Sequence, residues 1–276
     1  MSNGSLRRVG KCPLCLRDNI SLCRSHFFPA AAFKIIREET VRQGYKNPNP
    51  AVMNSRALFQ SSMQMTAYLL CNSCEQRVSA GGENWVLKNC WRGRTFLLKS
   101  ALNAAFPEES HRDVRIYWAS KIPAIDRSAL AYFAASMFWR ASAYDWWDGA
   151  TKSPINLGPY AEDLRQYLLG LTNFPKNCSL TIVLPDTNIE AEKLVQFIPS
   201  ARRFANCRLY MLHFLGIQFL LFAGKMFPAE YREMDFVHGN ENPIMVTSRF
   251  EQWMSLDLVH RYGKKRLSEI AKRIRF

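Results

Sequence analysis

Two spacings of apolar residues alternate along the chain, and each predicts an element. After a loop at HFFP (26–29), AAAFKIIREETVRQG (30–44) sets Phe33 and Ile36 on one face of a helix. The loop YKNPNPAVMNS (45–55) carries two prolines. QMTAYLL (64–70) reads as a strand that feeds CNSC (71–74). SCEQRVSAGGENWVLKNCW (73–91) predicts a helix, a break at Gly81–Gly82 and a second helix. IDRSALAYFAASMFWRASAYDWW (125–147) is apolar almost all round, so it predicts a central helix, with Asp126 as its N-cap. GPYAEDLRQYLLGL (158–171) predicts another helix, ended at Gly170. SLTIVLPD (179–186) reads as a buried strand closed by proline. ANCRLYMLHFLGIQFLLFAGK (205–225) reads as two strands hinged at Gly216. FEQWMSLDLVHRYGKKRLSEIAKRI (250–274) is amphipathic and ends in a basic helix.

These elements predict an α+β protein in three stretches. Residues 1–100 form a cysteine-bearing module, 101–175 a helical region, and 176–276 an α+β region with a basic tail. The chain of 276 residues, 48% hydrophobic, is long enough for a sizeable core. Charge alters the picture. The net charge is +14, which calls for an anionic partner, nucleic acid first. It is unevenly spread: 15 Lys+Arg stand against 5 Asp+Glu in residues 1–100, 15 against 17 in 101–260, and 7 against 1 in 261–276. The start MSNGSLRRVGKC has no apolar leader core, and LYMLHFLGIQFLLFAG (209–224) is too short and too interrupted to span a bilayer. The expected setting is the reducing cytoplasm, with no membrane partner. There, paired CxxC motifs signal metal more than disulfide.

Cys12, Cys15, Cys71 and Cys74 read C-x2-C-x55-C-x2-C. Each pair makes a tight turn that aims two thiolates at one point, and two turns complete the tetrahedral set that structural Zn2+ prefers. The long insertion is accommodated when a hairpin lies between the two knuckles, as in treble-clef folds. Cys12, Cys15, Cys23 and His26 offer a competing set that would strand Cys71 and Cys74. A redox dithiol lacks its βαβ context. The lone Cys23, Cys90, Cys178 and Cys207 read as small core residues.

The run from CPLC through SHFFP (25–29) to LLCNSCE (69–75) resembles the HNH, or ββα-metal, nuclease family. Together with Glu83, it is also similar to a group of bacterial HNH-like proteins with SHxxP and LLCxxCE motifs. MFWRAS (137–142) and LGPYAEDLRQYLLG (157–170) extend that likeness. The resemblance implies a zinc-bound treble-clef or ββα-metal module with His26 as general base. Ser25 occupies the slot of a first metal ligand and Glu75 the slot after the second knuckle. Two positions depart from the family pattern: Ser25 stands for an Asp or His, and Thr66 for an Asn. A catalytic Mg2+ or Mn2+ near Glu75 would polarise the scissile phosphate. Arg17, Arg24, Arg37 and Arg77 would hold the backbone, with Arg7, Arg8, Arg42, Arg92 and Arg94 widening the surround.

Two functions follow. One is a metal-dependent endonuclease that hydrolyses phosphodiester bonds in DNA, with RNA second, and by analogy serves bacterial defence. The other is a non-catalytic zinc-binding nucleic-acid or adaptor protein. In either, residues after 100 would supply specificity and a protein contact. Plainer roles also exist: His26 as a zinc ligand or loop brace, Glu75 as a helix N-terminal charge, and Glu83 as a cap of the next helix. Trp139 reads as core, and Trp146 and Trp147 as possible stacking surfaces. His111, His213, His238 and His260 carry no partner signature.

Overall fold

The computed structural model describes residues 8–42, 51–53, 58–60, 64–92, 95–110, 113–146, 155–186, 195–197, 199–204, 206–226 and 232–248. The basic helix expected within 250–274 lies outside them, as do Arg7, Arg94, Trp147, His111 and His260.

The N-terminal elements are β1 (Arg8–Gly10), β2 (Ile20–His26), α1 (Ala30–Arg42), β3 (Ala51–Met53), β4 (Leu58–Gln60), β5 (Thr66–Cys71) and α2 (Asn72–Val78). A π-helical turn, Ser79–Glu83, then leads into α3 (Asn84–Cys90). Strands β6 (Trp91–Arg92) and β7 (Thr95–Phe96) form a short hairpin before α4 (Leu97–Asn103). Next come β8 (Glu109–Ser110), β9 (Val114–Trp118), α5 (Arg127–Ala143), α6 (Tyr160–Leu168) and β10 (Cys178–Pro185). The last are β11 (Val195–Phe197), β12 (Ser200–Phe204), β13 (Cys207–Phe214), β14 (Ile217–Ala223) and β15 (Pro243–Thr247). The protein is thus mixed α+β.

Helix α1 buries Phe33 and Ile36, the two residues its spacing singled out. The Gly81–Gly82 pair does not break the helix as expected. The backbone widens into the π-turn and continues into α3. The cause is packing: a Cβ on Gly82 would come within 2.6 Å of the Ala129 carbonyl and 2.7 Å of the Phe133 nitrogen. One on Gly81 would strike the Tyr132 ring. The glycines let the turn lie directly on α5 rather than interrupt it.

Helix α5 is central. Asp126 caps it, accepting from the Ala129 N–H at 2.9 Å, a contact of about 1 kcal/mol in general. Leu130, Phe133, Met137 and Phe138 are fully buried, and Phe133 packs on Phe214 and Phe219 of the main sheet. That sheet runs β12-β13-β14-β10-β15-β9-β8. Its pairs are antiparallel except β10 with β15. The β13–β14 turn is tight: Leu215 and Gly216 both take positive φ, 46° and 82°. Strand β9 belongs to this sheet, although 101–175 reads as helical in sequence. A large cluster of buried side chains joins residues from all three stretches, from Cys12 to Val246. No helix among the described residues is long and apolar enough to cross a membrane.

Candidate metal centre and the His26 network

The CPLC turn lies between β1 and β2. Leu14 is buried within it, and the Leu14 carbonyl accepts from Arg165 of α6 at 2.7 Å. The Leu16 N–H closes the turn on the Cys12 carbonyl at 2.8 Å, with Leu16 at φ 62°. Strand β5 pairs antiparallel with β2, with a register shift between Leu22 and Arg24. It delivers Cys71 to the start of α2 and Cys74 to its first turn. A turn and a helix start, with 55 residues between Cys15 and Cys71, therefore meet through one strand pair.

The four sulfurs of Cys12, Cys15, Cys71 and Cys74 all lie within 4.8 Å of one another. Cys15 Sγ is 3.8 Å from Cys71 Sγ. A tetrahedron with Zn–S bonds of ~2.3 Å has edges of about 3.8 Å, so the cluster has the dimensions of a zinc site. Among the described residues this is the cluster of three or more Cys, His, Asp or Glu groups able to hold a metal, and Cys23 and His26 are not in it. The competing set is therefore not the one brought together.

Electrostatics point the same way. Burial and the Cys12 charge push the Cys74 thiol up, and burial also pushes Cys12 up. Burial opposes ionisation of Cys71, but hydrogen bonds from Ser73 and the Cys74 backbone outweigh it and bring Cys71 down to about 6. Four crowded sulfurs cannot all ionise without a compensating cation, which a Zn2+ supplies. Arg17 adds a second positive group. Its guanidinium donates to Cys15 Sγ at 3.4 Å, Cys71 Sγ at 3.5 Å and Ser73 Oγ at 2.7 Å. Arg17 thus faces the sulfurs, as an outer brace of such a centre does.

The other expected site residues distribute as follows. His26 ends β2, partly exposed, and its side chain makes no hydrogen bond among the described residues. Glu75 sits in the first turn of α2 and is largely buried. The Ser25 hydroxyl, itself buried, donates to Glu75 Oε1 and accepts from the Leu70 N–H at 3.1 Å. Burial raises the Glu75 carboxyl; the Ser25 bond and the nearby Arg140 and His26 oppose that, and Glu83 adds to it. Ser25 therefore holds a carboxylate. Arg24 is exposed and donates to Thr66 Oγ1 at 3.0 Å. Arg37 is exposed on α1. Arg77 donates to the Leu169 carbonyl at 3.1 Å.

Glu83 does not cap α3 with its side chain. It pairs with Arg140 of α5 at 2.5 Å, and Arg140 also donates to the His26 carbonyl at 2.9 Å. The side chains of Arg140 and Glu83 are 2% and 12% exposed. This network passed unnoticed in sequence, although one signal was there: a lone cation inside an all-round apolar helix must find a partner. Trp139 is core, as expected, and Trp146 packs on Phe27 while donating to the Arg140 carbonyl at 2.7 Å. Cys90, Cys178 and Cys207 are buried, whereas Cys23 is half-buried. His213 meets Gln218 at 3.0 Å, and His238 meets Asp235 at 2.6 Å.

No protein-family model matches the chain, and neither a curated protein nor a solved structure matches it.

Proposed function

We propose that the cysteine-bearing module within residues 1–100 is a zinc-stabilised treble clef of the HNH type that hydrolyses phosphodiester bonds in nucleic acid, DNA ahead of RNA. The observation that carries this reading is the strand–knuckle–strand–helix order that closes the four-cysteine cluster. It leaves His26 at the end of β2, outside the cluster, and Glu75 one residue past the second knuckle. His26 and Glu75 are close enough to interact electrostatically.

In this reading Zn2+ is structural and is held by Cys12, Cys15, Cys71 and Cys74. A Mg2+ or Mn2+ ion would be held by Glu75 with water and substrate phosphate, and it would supply charge stabilisation at the phosphate. The His26 imidazole accepts the proton of the attacking water. Arg140 fixes the His26 backbone, so the imidazole starts from a braced strand end. Exposed Arg24 and Arg37 bind phosphates without reading bases.

One observation favours a second reading. Glu75 is bonded to Ser25 and Glu83 to Arg140, so both carboxylates have structural employment. A non-catalytic zinc module that binds nucleic acid or a protein would look the same. Plasmid cleavage in Mg2+ or Mn2+ separates the two. The nuclease reading expects the wild type to cut, and His26→Ala, folded and zinc-loaded, to lose at least a hundredfold in rate. Equal cutting by both proteins, or none by either on plasmid, single-stranded DNA and RNA, defeats it.

A further inference from the structure

A cavity of about 770 Å³ opens between the loop before α6 and the adjoining ends of β12, β13 and β14, apart from the cysteine module. Its lining includes Arg202, Arg203, Arg208 and Lys225, and no carboxylate among the described residues. Glu162 and Asp163 follow in the first turn of α6 but do not line it. Arg202, Arg203 and Arg208 already lie within seven residues of sequence, inside a stretch (101–260) that is close to neutral by count, and folding adds Lys225 to them.

Strand register does the gathering. Arg203 of β12 and Arg208 of β13 are direct cross-strand partners, so both side chains leave the same face of the sheet. Like charges in that position oppose folding, and an anion held between them removes the opposition. Gly224 brings in the third cation. A Cβ there would lie 2.6 Å from Cys207 Cβ, so only glycine lets the chain pass this close and carry Lys225 to the cavity. Arg203, Arg208 and Lys225 are exposed. The side chains of Arg203 and Lys225 make no hydrogen bond or ion pair among the described residues. Arg208 reaches the Tyr210 hydroxyl, which is itself anchored to the Asn156 carbonyl at 2.7 Å.

The volume far exceeds a lone phosphate and lies in the range of small-molecule sites. Leu157 and Tyr160 add an apolar and aromatic wall on the α6 side. Cations on one side and a phenol ring on the other suit a phosphate joined to a planar base. We propose that this cavity binds a nucleotide phosphate, at a site separate from the cysteine module. The nucleotide is either free or one unit of a nucleic-acid chain.

Two probes distinguish these sources: AMP by titration calorimetry, and a fluorescein-labelled ten-residue oligothymidylate by anisotropy across 50–200 mM NaCl. The variant is Arg203→Ala/Arg208→Ala/Lys225→Ala in the full chain. Its melting temperature should be no lower than wild type, because it removes a like-charge pair. Affinity for at least one probe should fall tenfold or more. A loss for AMP alone identifies a free nucleotide. A loss for the oligonucleotide, with its log–log salt slope flattened by about 2 for three phosphate contacts, identifies a chain. Wild type that binds neither probe, or a folded variant that binds both as wild type does, overturns the proposal. Neither result bears on cleavage by the His26 module.

Discussion

Arg140→Met puts the buried network to its sharpest test. The substitution keeps an unbranched apolar side chain of similar length in the core, so it tests charge and hydrogen bonding rather than bulk. It leaves the Glu83 carboxylate, 12% exposed, without its cation, and the His26 carbonyl without a donor. Removing one partner of a buried pair costs about 3–5 kcal/mol, and an unsatisfied buried carbonyl makes up about 1–3 kcal/mol of such losses. For a chain of this size that lowers the melting temperature by about 10 °C. Urea unfolding, followed by tryptophan fluorescence and far-UV circular dichroism together, measures it. Coincident transitions establish that two-state energies apply. The double variant Arg140→Met/Glu83→Leu should recover about 2 kcal/mol of the loss, because no buried charge is left unpaired. Only the cost of the His26 carbonyl, about 1–3 kcal/mol, should remain. A single-variant cost under about 1 kcal/mol refutes the reasoning. So does a double variant whose loss equals the sum of the two single losses, since that would mean the groups are not coupled.

The other predictions concern the cluster, the π-turn and one titrating pair. Purified protein should carry one zinc per chain by elemental analysis, and Cys71→Ser should lose that zinc and unfold at lower temperature; wild type that contains no zinc when grown with it would count against the centre. Gly82→Ala should destabilise by about 3 kcal/mol or prevent folding, because its Cβ would meet the backbone of α5; an unchanged urea midpoint would contradict that packing. His238 is raised above its ordinary value chiefly by its hydrogen bond to Asp235. The folded state therefore holds that proton more tightly than the unfolded chain, so the contribution is full below about pH 6.5 and is lost as pH rises through the higher folded value. His238→Gln should flatten stability across that rise, and a pH profile parallel to wild type would exclude the assignment.

Local chemistry made several features readable from sequence. Periodicity located α1, α5 and the β13–β14 hairpin because one helix face, a whole helix surface and a two-strand run each bury a repeating set of positions. Asp126 was legible as a cap because capping acts within one turn. The two CxxC pairs were legible because each knuckle is a local turn whose thiolates have few other uses. Tertiary structure alone decided the rest. The Gly81–Gly82 pair continues a helix instead of breaking it because α5 lies against it. Glu83 pairs with Arg140 rather than capping α3, and Ser25 holds Glu75 rather than standing idle in a ligand slot. Arg203 and Arg208 are neighbours in sequence, but the close passage of Gly224 over Cys207 that adds Lys225 to them is visible only in the fold. Propensities and caps act over three or four residues and leave a mark in the sequence. Ion pairs, backbone clearances and strand register depend on which distant surfaces meet, and packing of the whole core settles that.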